Sequence, residues 1–179
     1  MFRFRLVMIF AICLVNPIAN AKSKTALSEG TVHFIGSVVN AACTIDAKSL
    51  HQNVLMDEVK TSIFTSPGAW GNAKTFWIKL ENCTPATSQF ASVMFSGQAD
   101  EKDPQVFHVG FGADAAKGVG LGIFDDKNNL LIPNVSPVPS TVLEQGETIL
   151  FFTAKYRSVA PEVVAGNASA SINFSVMYQ

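Results

Sequence analysis

Three cysteines, Cys13, Cys43 and Cys83, and three histidines, His33, His51 and His108, are the side chains of this 179-residue chain best suited to nucleophilic, acid–base or metal chemistry. Their spacing argues against all three. No HExxH or CxxC pattern joins them, and no GxSxG sets a serine on a nucleophile turn. The glycines of Gly118-Val119-Gly120-Leu121-Gly122 lack the spacing of a dinucleotide loop. Asp125-Asp126-Lys127-Asn128-Asn129 offers carboxylates without the central Gly or terminal Glu of a calcium loop, so it reads as a hairpin turn. The expectation is a protein that is not an enzyme, with no metal and no cofactor. The chemistry that remains is a disulfide.

The beginning of the chain decides which cysteines can form it. Arg3 and Arg5 precede the apolar run Leu6 to Val15, which is too short to span a bilayer, and Pro17 and Ala19-Asn20-Ala21 follow. This is the layout of a secretory signal, residues 1–21, cleaved after Ala21. Cys13 leaves with it. Cys43 and Cys83 then reach an oxidising compartment as a pair and should join each other rather than form half of a metal site. No other apolar run approaches spanning length, so the mature chain is not expected to span a membrane. Thirteen Lys+Arg against fourteen Asp+Glu, with no block of like charge, leave no footprint for nucleic acid.

Stepping along the mature chain, the dominant pattern is alternation at period two. Ala168, Ala170, Ile172, Phe174, Val176 and Tyr178 interleave with polar residues at the C-terminal end, which is the signature of a strand with one buried face. Shorter runs at Val54 to Val59, Thr75 to Leu80, Phe90 to Phe95, Val119 to Phe124 and Ile149 to Tyr156 are separated by turn-rich pieces. Many short strands punctuated by Gly, Pro and Asn predict an all-β antiparallel sandwich. Helix is limited to single turns at Ala113 to Ala116 and Glu58 to Phe64. Trp70 and Trp77 read as buried packing. Before the first mature cysteine, Val32, Phe34, Gly36 and Val38 share one face of a further strand, and that face needs a groove.

In order and spacing, Gly30-Thr31-Val32-His33-Phe34, Val38-Val39-Asn40-Ala41-Ala42-Cys43, Asn82-Cys83 and the ending Val176-Met177-Tyr178-Gln179 resemble the subunits of chaperone-usher fimbriae, close to type 1 pilins. Gly166, fourteenth from the end, and the penultimate Tyr178 resemble that family's chaperone-recognition signature. The resemblance implies an immunoglobulin-like β-sandwich lacking its final strand. It implies a donor-strand extension at residues 22–38 and an incomplete domain at 39–179. Val32, Phe34, Gly36 and Val38 would enter a neighbour's groove. Gly166, Ala170, Ile172, Phe174, Val176, Tyr178 and Gln179 would form the acceptor groove and the chaperone contact. The implied partners are other pilin subunits, a periplasmic chaperone and an outer-membrane usher, and the implied destination is a fimbria on the bacterial surface, serving adhesion. The alternative is a self-contained secreted β-sandwich that binds a ligand, in the manner of a lectin.

Overall fold

The computed structural model describes residues 30–36, 41–138 and 141–179. The chain divides into two units, Met1–Val38 and Val39–Gln179, and every strand among the described residues lies in the second. The backbone of that second unit is β2 (Trp70–Cys83) paired with β8 (Gly146–Ser158). Their register sets Phe76 opposite Phe152, Ile78 opposite Leu150 and Leu80 opposite Thr148. Alternate residues of both strands are therefore buried, Leu80 to 0% exposure, because side chains of a strand point to opposite faces in turn.

On the far side of β8 runs β5 (Val119–Phe124), and β4 (Phe107–His108) and β6 (Leu130–Leu131) both pair with β5. β1 (Thr44–Ile45) closes the other end on β2, giving the order β1-β2-β8-β5-β4. The second sheet is β7-β3-β9, with β7 at Thr141–Val142, β3 at Phe90–Ser96 and β9 at Asn173–Tyr178. Every ladder is antiparallel. The core fills the space between the sheets, with Phe95, Val93 and Ala91 from one and Ile78, Leu121, Ile123 and Phe152 from the other.

Cys43 and Cys83 are bonded, as expected. The bond ties the chain just ahead of β1 to the end of β2, beside the Thr44 and Glu81 pair. Its sequence separation of 40 is worth about 4 kcal/mol in the chain-entropy model. One helical turn, α1 (Ala47–Leu50), follows β1, and the Asp46 carboxylate accepts from the Lys48 amide to start it.

Several sequence expectations need correction. Val54 to Val59 forms no strand; Met56 and Val59 pack on the core, but the segment has no ladder. The C-terminal strand starts at Asn173 rather than Ala168, because only Asn173 to Tyr178 lie beside β3. Residues 30–36 are exposed and hold no ladder, while Val38 and the signal at 1–21 lie outside the described residues. Glu58 to Phe64 keeps a 3-10 turn at Thr61–Ile63, whereas Ala113 to Ala116 is a non-helical turn followed by a bridge from Ala115 to Asn167. The tryptophans part company. Trp70 packs edge-on to Phe124 with centroids 4.9 Å apart and lies so close over Gly122 that a Cβ there would come within 2.6 Å of the indole. Trp77 is 55% exposed, because its even-numbered neighbours Phe76 and Ile78 take the inward positions of β2.

Candidate functional site

The site is a gap in the sandwich. Phe76 and Ile78 of β2, Phe95 of β3, Leu121 and Ile123 of β5, and Ala154 and Tyr156 of β8 form the floor of a groove of about 860 Å3. All of these are inward positions of strands, so the same alternation that builds the core builds the groove floor. Part of the floor is aromatic. Phe95 meets Phe152 edge-on at 5.0 Å between centroids, and Phe76 stands 5.4 Å from Phe152. Such rings carry large apolar area and prefer these offset contacts.

Two wall segments flank the floor, 49–56 on one side and 168–174 on the other. The first is held at its start. The Ser49 hydroxyl accepts from the Lys79 amide at 3.0 Å, and the Gln52 side-chain amide donates to the Trp77 carbonyl at 2.6 Å. Beyond that point no hydrogen bond among the described residues reaches Asn53, Val54, Leu55 or Met56. The second wall behaves likewise: Ala170, Ser171 and Ile172 have no hydrogen-bond partner among the described residues. From Asn173 onward the wall is β9, which pairs with β3 on one side only. Both walls thus carry free backbone donors and acceptors next to an uncovered apolar floor, a combination that templates the addition of a strand.

The sequence-predicted acceptor residues separate into groups. Ala170, Ile172 and Phe174 line the groove. Val176 and Tyr178 pack on the core further along β9. The Tyr178 hydroxyl donates to the Cys43 carbonyl at 3.2 Å, next to the disulfide. Gln179 is tied by its backbone to Phe90 in both directions, at 2.8 and 2.9 Å. Gly166 lies ahead of the wall, where a Cβ would come within 2.5 Å of the Asp114 carbonyl oxygen. Its lack of a side chain lets the chain pass the bend at 114–116 and enter the groove. On the donor side, Val32 and Phe34 are exposed, Phe34 to 94%, and nothing lies within 4 Å of a Cβ built on Gly36.

Sequence reading missed most of the floor and the whole of the 49–56 wall. The floor was legible in principle, because Phe76, Ile78, Leu121 and Ile123 belong to alternating runs already assigned as strands. The wall carries no alternation that separates it from a strand. Among the described residues, no cluster of His, Cys, Asp or Glu could hold a metal ion. Burial raises the Tyr156 and Tyr178 phenols above their ordinary value of 10.0.

Comparison with known proteins brings one family. The model of the family described as "Fimbrial protein" matches residues 32–179. The probable major fimbrial subunit LpfA of Escherichia coli O157:H7 is 38% identical over 151 residues, 84% of each chain. Long polar fimbria protein A of Salmonella typhimurium is 32% identical over 171 residues, 96% of each chain. Among solved structures, a chain from a chaperone-usher pilus studied for rod uncoiling superposes with a TM-score of 0.66 at 24% identity, over 85% of this chain and 96% of that one.

Proposed function

The chain belongs to the fimbrial protein family, and from that premise we propose that this structural subunit of a surface fimbria joins its neighbours by donor-strand exchange. Its sandwich is the immunoglobulin-like fold of pilins. In this reading residues 22–38 are the extension given to one neighbour and 39–179 the domain that receives the equivalent strand from another. Val32, Phe34 and Val38 are the anchors, each worth about 1.5–3 kcal/mol on burial. Gly36, in phase with them, passes where the groove has no room for a side chain. Before assembly a periplasmic chaperone covers the groove and holds Tyr178 and the Gln179 end, with Gly166 setting the entry of the wall. An outer-membrane usher then exchanges chaperone for donor as the subunit is exported to the cell surface.

One observation carries the reading: an apolar floor lies open between two walls whose backbones at 53–56 and 170–172 have no hydrogen-bond partner among the described residues. A self-contained ligand-binding sandwich would have closed those ladders, so that alternative is not favoured. The test is a urea melt of the full chain with and without a synthetic peptide of residues 28–38. The midpoint should rise with peptide concentration, by about 2.7 kcal/mol of stability at a hundred times Kd. A peptide carrying Phe34→Asp should have no effect. An unchanged midpoint with the native peptide means a complete sandwich and removes the proposal.

A further inference from the structure

The wall at 168–172 lacks a strand neighbour, yet it lies along the groove as an extended edge, and something must hold it there. Two contacts reach it from the body of the domain. The Gly110 amide donates to the Ser169 carbonyl at 2.8 Å, and the Tyr156 hydroxyl donates to the Ala168 carbonyl at 3.0 Å. Both partners of the second bond line the groove. Tyr156 sits on β8, which is fixed on both sides by β2 and β5, and the residue is buried. A buried phenol therefore ties a strand paired on both sides to a wall with no strand partner. With Ala168 fixed, the next residues, Ala170 to Ile172, are presented with their backbone groups free.

We propose that the Tyr156 hydroxyl is a positioning group for strand acceptance, pinning the unpaired wall so that an incoming strand meets a preformed edge. This rests on the donor-strand reading of the groove. An edge held in its bound conformation spares the incoming strand the cost of ordering it. Without the hydroxyl the wall keeps only the Gly110–Ser169 bond to the body of the domain, and binding must restore the order that is lost.

Tyr156→Phe tests this, because it keeps the ring that fills the floor and deletes the one donor. In the full chain, the variant should bind the peptide of residues 28–38 about fivefold more weakly, the worth of one neutral hydrogen bond. Limited proteolysis within 168–172 should speed up while β8 stays as resistant as in the native chain. Thr148→Val provides the contrast: it deletes a buried hydroxyl that accepts from the Glu144 amide at 2.9 Å, away from the groove lining. That variant should lose stability yet keep native peptide affinity and native resistance to proteolysis at 168–172. If Tyr156→Phe binds the peptide as the native chain does, or if Thr148→Val weakens binding equally, the positioning role is wrong. If the native chain itself fails to bind the peptide, the donor-strand reading falls and the positioning role with it.

Discussion

β8 and the C-terminal segment 168–178 carry the same alternating code, but only one of them is a strand throughout. β8 has β2 on one side and β5 on the other, and its inward residues Leu150, Phe152 and Ala154 are buried. In the C-terminal segment the inward residues Ala168, Ala170, Ile172 and Phe174 are half-buried over the groove, and its first five residues have no ladder at all. Alternation therefore reports which face of a chain is apolar, not whether the backbone between has partners. In this molecule the mismatch between the two marks the candidate functional site.

The sharpest way to break the comparison is to spoil the unpaired side. Phe174→Asp sets a carboxylate against the aromatic floor, where no lysine or arginine lines the groove among the described residues, and burying an unpaired charge is far costlier than losing a contact. Capture by the chaperone should be abolished and the subunit degraded in the periplasm, as read by co-purification. A stable, chaperone-free Phe174→Asp subunit would count against an open groove. Next in size is a cavity on the paired side. Phe152→Ala removes a ring that touches both Phe76 and Phe95 and should cost about 3–5 kcal/mol in urea unfolding. Because Phe152 lies beneath the groove floor rather than along its walls, the increment of stability that the 28–38 peptide adds should largely survive. Gly36→Leu sharpens the donor side. It should leave the subunit folded and bound to chaperone, while overpacking of about 1–3 kcal/mol in the neighbour's groove stops fibre growth. Normal fibres from that variant would displace the assigned register.

The paired half of the fold was the legible half. Val119 to Phe124 has the same limits in the sequence reading and in the structure, and Thr75 to Leu80 and Ile149 to Tyr156 are the centres of longer strands. These runs alternate because one face of each is apolar, and they are strands because their backbones also find partners within the chain. Val54 to Val59 looked alike and is not a strand, because its neighbour is the empty groove. Trp77 was misjudged for a related reason: an apolar residue can stand on the outer face of a strand whose inner positions are filled by Phe76 and Ile78. The two-residue strands β1, β4, β6 and β7 are too short for any period to be visible. Of the acceptor residues, Ala170, Ile172 and Phe174 were reached through the alternation of the last segment, whereas the opposite wall at 49–56 depends on Ser49 and Gln52 bonding to β2, which no local pattern announces.

The smallest expected effect separates the two regions by pH. Burial raises the phenols of Tyr156 and Tyr178 above 10.0, so the folded state favours their neutral forms. A group whose folded pKa is raised contributes stability that is complete below its unfolded value and is lost as pH climbs through the folded one. The tyrosine contribution should therefore be flat up to about pH 10, the ordinary phenol value, and decline above it. Tyr156→Phe should make the alkaline decline in urea midpoint shallower, leaving the Tyr178 share. The Lys79 pKa is raised as well, its charge held by hydrogen bonds it donates to Glu147 and Glu81, but it lies on β2, away from the groove lining, and is common to both chains, so it cancels from the difference. Peptide binding should follow the same split, with the native chain losing affinity above pH 10 and the Tyr156→Phe chain, already lacking the donor, losing less. Equal alkaline loss of affinity in the two chains would mean that the hydroxyl holds nothing the incoming strand needs.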